Sequence, residues 1–168
     1  VGRPFIVHSA HGTHIDALNH FGIRGRIWNG FSADQHLGDR GWQRTGIEKF
    51  PPLVARGVLI DVAAAKGLEM LPDQYRITRQ DLKDALARQK VTLQEGDIVL
   101  VRTGRMKLYG QPQAYMAKPP GLGLDAARFL VEEGGAMIVG ADNLSLETFP
   151  SEVDDDYVPL HSYLLAQK

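Results

Sequence analysis

GVLIDVA (residues 57–63) is the stretch whose reading decides the fold. It is short, apolar and rich in β-branched residues, and DIVLVRT (97–103) and AMIVGAD (136–142) share that character. Runs of this length and make-up suit strands buried on both faces. Helical patterns lie between them. Thr78 is followed three residues later by Asp81, a start resembling a capping box, with Ile77 placed to staple onto Leu82. Leu82, Ala85 and Leu86 then share one face, with Gln89 at its edge. LDAARFLVEEGG (124–135) ends on Gly134 and Gly135, a C-terminal signal. Strand, helix, strand, helix, strand in that order implies right-handed crossovers and an at least partly parallel sheet, so an α/β fold is expected.

Outward from this core the chain changes character. Residues 21–56 are glycine-rich, carry Trp28, Phe31 and Trp42, and are interrupted by Pro51-Pro52. They read as a long irregular excursion, the kind of segment that carries function. Trp28 and Phe31 are candidates to line a substrate pocket, although aromatic rings also serve to cover a core edge. Ligands in open α/β sheets sit beyond the carboxyl ends of strands. That rule makes Arg102 and Asp142, each at such an end, further pocket candidates; Thr103-Gly104 reads as a turn.

Composition bounds the function. The chain has 168 residues, 43% hydrophobic and 23% charged, which fits one globular domain over 1–168. A net charge of -1 without a basic stripe argues against a nucleic-acid partner. No apolar run approaches the roughly 20 residues of a membrane span. With no cysteine there are no disulfides, thiolate nucleophiles or cysteine zinc sites, a composition compatible with the cytoplasm. The chain opens on Val1 and closes on the apolar YLLAQK, so it is expected to be a fragment of a longer polypeptide.

Four of the 6 histidines fall between His8 and His20, in HSAHGTHIDALNH. Gly12-Thr13 sits poorly in a helix, so a strand entered from a turn is expected here. On a strand, residues two apart share a face. His14 and Asp16 would then grip one cation, with His11 able to fold back as a third ligand. His20, four residues past Asp16, would stand over the site without ligating. Mixed nitrogen and oxygen donors suit zinc or manganese, and water on such an ion ionises near neutral pH. His8 and His36 read as structural.

GTHIDALNHF (12–21) resembles the signature of the cyclase-type metal-dependent hydrolases, the family containing bacterial kynurenine formamidase and isatin hydrolase. Its pattern runs His-x-Gly-Thr-His-x-Asp-x-Pro-x-His, matched at Gly12, Thr13, His14, Asp16 and His20. The likeness continues through GVLIDVAAAKG, GDIVLVRTG, GLGLDAARFLVEEGGAMIVGADNLS and PLHSYLLAQ. It implies a swivelling β/β/α fold, usually a homodimer, that opens amide or cyclic amide bonds of small-molecule substrates. It implies His14 and Asp16 as metal ligands, His20 as the acid–base residue, and His161 as a histidine completing or adding a metal position. Three departures stand out. Ala10 occupies the place of the first family histidine, with His11 one position later. Leu18 replaces the proline. The glutamate expected about a dozen residues past His161 would lie beyond Lys168.

The leading expectation is metal-dependent hydrolysis of a C–N bond in an amide, N-formyl or cyclic substrate. His14, Asp16 and His161 also spell the two-histidine, one-carboxylate triad of iron(II) oxygenases, though helix–strand alternation argues against their double-sheet folds. A non-catalytic member that has lost metal ligands is the third alternative.

Overall fold

The computed structural model describes residues 13–167. The chain divides into two compact units, one running to Pro51 and taking in the stretch from His161, the other spanning Pro52–Leu160.

The larger unit is built on a three-stranded parallel sheet. Its strands are β3 (Gly57–Asp61), β5 (Ile98–Arg102) and β7 (Ile138–Ala141), in spatial order β3-β5-β7. Leu59 lies opposite Leu100, and Leu100 opposite Gly140. The mixed α/β fold with a parallel sheet is therefore as the apolar runs predict. α2 (Val62–Ala65) starts directly off β3, with Asp61 Oδ1 accepting the Ala64 N–H at 2.8 Å. The short strand β4 (Arg76–Ile77) leads into α3 (Arg79–Gln89) and pairs in parallel with β6 (Gly121–Leu122). α4 (Pro112–Met116) and α5 (Leu124–Arg128) follow β5, and α5 continues as a π-helical turn over Phe129–Glu133.

The capping box at α3 is complete. Asp81 N–H donates to Thr78 Oγ1 at 3.2 Å, and Thr78 N–H donates to Asp81 Oδ2 at 2.9 Å. Ile77 and Leu82, the staple pair, are both fully buried. Gln89 does more than edge the helix face. Its amide donates to Leu59 O at 2.7 Å and accepts the Asp61 N–H at 2.9 Å, clasping α3 to the rim of β3. The helix after Leu124 stops at Gly134 and Gly135, the latter at φ +67°.

Burial corrects one expectation. Val58, Ile60, Val99 and Val101 are buried, as are Val62, Leu82, Ala85, Ala126 and Leu130 in the helices, but the strands are not buried on both faces. Leu59 and Leu100, on the opposite face, are 52% and 48% exposed. All crossovers lie on one side of a sheet whose order follows the chain, so only that side is roofed by helices. Each valine, leucine or isoleucine side chain buried there contributes about 1.5–3 kcal/mol.

The excursion belongs to the other unit as far as Pro51 and is made of small pieces there. A 3-10 turn spans Trp28–Gly30, α1 covers Ala33–His36, and β1 (Leu37–Gly38) pairs antiparallel with β2 (Gly41–Trp42). The closing segment is α6 (Pro159–His161), extended by a π-helical turn over Ser162–Gln167 that packs on the Trp28–Gly30 turn. Among the described residues no helix is long and apolar enough to cross a membrane.

Candidate metal centre

The strand expected beneath His14 and Asp16 is not formed. Residues 14–17 have irregular backbone, and the chain reverses at once in a turn closed by His20 N–H donating to Ala17 O at 2.8 Å. A ladder has no room to grow in so short a run. The turn instead folds His20 back over Asp16.

Three imidazoles converge on that one carboxylate. His14 Nε2 lies 3.5 Å from Asp16 Oδ1, His20 Nδ1 lies 3.5 Å from the same oxygen, and His161 Nε2 lies 3.9 Å from Oδ2. His14 and Asp16 therefore face the same way, as the two-residue spacing requires, although on irregular backbone. His161 is the most enclosed of the group, its side chain 16% exposed against 34% for His14 and His20. Its ring meets that of His20 at 6.0 Å, and the edge of Phe21 at 5.9 Å with an interplanar angle of 63°.

These spacings can be tested against a cation. Zinc holds nitrogen and oxygen ligands at about 2.0–2.2 Å, so two ligands at a tetrahedral angle sit roughly 3.4 Å apart. Gaps of 3.5–3.9 Å are wider than ordinary hydrogen bonds and close to that value. The ligand atoms of Asp16, His20 and His161 all lie within 4.8 Å of one another. The donor set and its spacing thus fit a divalent ion.

The grouping differs in emphasis from the sequence reading. His20, expected to stand over the site, groups its ligand atom with those of Asp16 and His161, and His14 meets the same Asp16 oxygen as His20 at the same 3.5 Å. His11 lies outside the described residues. Phe21 escapes the sequence reading, although its place directly after His20 is the signal that could have found it.

The remaining candidates are placed elsewhere. Trp28 and Phe31 are half-buried in the same unit as the histidines. Phe31 takes the His36 ring edge-on at 5.2 Å and carries the Arg44 guanidinium 5.7 Å above its centre. Asn19, next to His20, donates to Arg44 O at 3.2 Å and ties that loop to the histidine turn.

Arg102 and Asp142 belong to the larger unit and are engaged in holding it. Arg102 donates to Asp61 Oδ1 at 2.8 Å and to Glu69 O at 3.0 Å. Asp142 accepts Thr103 N–H at 2.6 Å and Thr103 Oγ1–H at 2.7 Å on one oxygen, and Gly104 N–H at 2.9 Å on the other. It locks the turn after β5. Burial, with Asp142 nearby, pushes the Tyr115 phenol above its ordinary range.

The family described as "Putative cyclase" matches residues 4–148 of this chain. Among solved structures, one described as a novel cyclase is similar with a TM-score of 0.77 at 33% identity, covering 89% of this chain and 50% of that one. Isatin hydrolase A from Ralstonia solanacearum is similar with a TM-score of 0.68 at 22% identity, covering 92% of this chain and 55% of that one. An isatin hydrolase bound to the product analogue thioisatinate is similar with a TM-score of 0.65 at 21% identity, covering 95% and 56%. The chain thus spans about half the length of these structures. No curated protein matches it. The family match runs from before the histidine turn, through the parallel sheet, to the loop beyond β7, and on that ground the chain belongs to the cyclase family.

Proposed function

We propose that this chain hydrolyses a carbon–nitrogen bond in a small amide, N-formyl or cyclic amide substrate, with a zinc or manganese ion held at Asp16. The convergence of His14, His20 and His161 on one carboxylate, at the spacing of ligands around a shared cation, carries this reading. The fold shared with proteins named isatin hydrolases agrees with it. His14 and His161 approach different oxygens of Asp16, and these three side chains would hold the ion. When bound, such an ion polarises a carbonyl and lowers the pKa of a coordinated water from 15.7 to about 7. His20 takes the proton of the attacking water and passes it to the departing nitrogen, which leaves readily only once protonated. Trp28 and Phe31 offer flat apolar surface to a planar substrate.

A second assignment, in which His20 is itself a ligand, is favoured by the 4.8 Å cluster. The two separate cleanly. As proton carrier, His20→Ala lowers kcat by about 10²–10⁴-fold and leaves metal content unchanged; as ligand, it lowers metal content. The hydrolase reading itself is tested with N-formyl and cyclic-imide substrates. Turnover is expected to vanish with chelator and return with zinc or manganese. Turnover indifferent to both chelator and His14→Ala overturns the reading.

A further inference from the structure

We propose that Phe21 is a positioning residue for the metal centre, its ring setting the plane in which His161 offers a nitrogen to the ion. The inference rests on the reading of His161 as a metal ligand, and every residue it uses lies in the unit that holds the histidines.

A histidine ring turns about its Cβ–Cγ bond in a broad, roughly two-fold well, so a ligand imidazole stays soft until its surroundings fix it. A half-turn places Cε1 where Nε2 had been, and carbon holds no metal. His161 Nε2 stands 3.9 Å from Asp16 Oδ2, the longest of the three approaches to that carboxylate. At that length the contact is no hydrogen bond and leaves the ring plane open. Phe21 meets the His161 ring at 5.9 Å between centroids, inclined at 63°. This is the edge-to-face geometry that aromatic pairs prefer. The His20 ring approaches the same imidazole at 6.0 Å and 41°. Two consecutive side chains thus meet His161. His20 is also engaged with Asp16, whereas Phe21 has no ligand atom and can act only by contact.

The Phe21 ring stands on backbone closed on both sides. Before it, the Ala17–His20 turn is shut by the His20 N–H. After it, Ile23 N–H donates to Arg26 O at 2.8 Å, and Arg26 N–H donates to Ile23 O at 2.9 Å. Gly22, between the two turns, passes so near Arg26 that a Cβ there would stand 2.6 Å from its carbonyl oxygen. Ile27 is fully buried, and its carbonyl accepts the Gly30 N–H at 3.0 Å. That bond closes the Trp28–Gly30 turn, on which the Ser162–Gln167 turn packs directly after His161. One continuous stretch of chain therefore holds both Phe21 and the backbone following His161, and keeps their rings in register. Metal–ligand distances tolerate only about ±0.2 Å, so a ring freed to turn binds more weakly although no ligand has been removed.

The test is zinc and cobalt(II) titration of the whole chain, of its Phe21→Ala, Phe21→Leu and His161→Ala variants, and of the Phe21→Ala, His161→Ala double variant. Circular dichroism of each metal-free protein checks the fold. Phe21→Ala is expected to bind both ions roughly 2–10-fold more weakly, the worth of an aromatic pair expressed as affinity, with an altered cobalt visible spectrum. Phe21→Leu fills the space with an apolar group but presents no ring, and should behave likewise; it serves, alone and in the double variant, if the alanine variant does not fold. His161→Ala should bind more weakly than either. Once His161 is gone, removing Phe21 should change the affinity no further, because a residue acting through another has nothing left to position. Folded Phe21 variants with parental affinity and spectrum overturn the proposal, as do losses that add in the double variant. A His161→Ala chain that binds like the parent also overturns it, while leaving His14, Asp16 and His20 as the site. A parent that binds neither metal removes the metal-site reading and this inference with it. Turnover enters none of these measurements, so failure of the hydrolase reading alone leaves the inference standing.

Discussion

Asp16 gathers three imidazoles without a regular element beneath it. The single backbone hydrogen bond of the Ala17–His20 turn brings His20 to the carboxylate that the chain has just left. Asp16→Asn keeps the shape and removes the charge. We expect it to abolish stoichiometric zinc or manganese in elemental analysis of purified protein, with the fold retained by circular dichroism. At this scale the nearby partners are legible in sequence, because His14, Asp16 and His20 lie within one turn of chain and their spacing limits where they can point. His161 is a different matter. Nothing local links it to Asp16, and only the likeness of PLHSYLLAQ to the family singles it out.

Elements in the larger unit are held by caps and locked turns. The box at Thr78 and Asp81 predicts that Thr78→Ala costs about 1 kcal/mol, measurable by urea titration. Gly104 has φ +84°, and a Cβ there would lie 2.3 Å from Glu69 O. Gly104→Ala is therefore expected to cost more, about 1–3 kcal/mol, because a strained backbone and a steric clash coincide. Acid acts on the same elements. Hydrogen bonding to Arg56 holds the Asp97 carboxyl below its ordinary value of 3.8. Burial raises that of Asp81, but bonds from Lys66, Thr78 and Tyr75 outweigh it and the net shift is also downward. A depressed carboxyl stabilises the fold above its unfolded-state value and loses that contribution as pH falls through the folded one. The melting temperature should accordingly be flat above about pH 5 and fall below about pH 4; a fall beginning at pH 6 would point to other groups. The α3 start is legible because its two residues sit three apart. The grip of Asp142 on Thr103 and Gly104 is not, because its partners are 39 and 38 positions away.

At the scale of the whole molecule, the apolar runs at 57, 97 and 136 reveal strand identity and parallel direction, since strands linked through helices cross over in one sense. They do not reveal which face is roofed. Positions 58–60 and 98–101 are apolar throughout, so Leu59 and Val58 look alike in sequence, and only Asp61 and Arg102 at the strand ends share the spacing of the open face. The structure separates them. Ile60→Ala, fully buried, should cost about 2–5 kcal/mol, whereas Leu59→Ala should stay below about 1 kcal/mol, as measured by denaturant midpoints. That asymmetry has a practical consequence. Leu59 and Leu100 present greasy surface to water while doing little for the fold, and threonine supplies the β-branched shape that strands favour. A Leu59→Thr, Leu100→Thr double variant should remain dissolved at higher concentrations than the parent while melting at nearly the same temperature, giving a better-behaved sample for every titration described above.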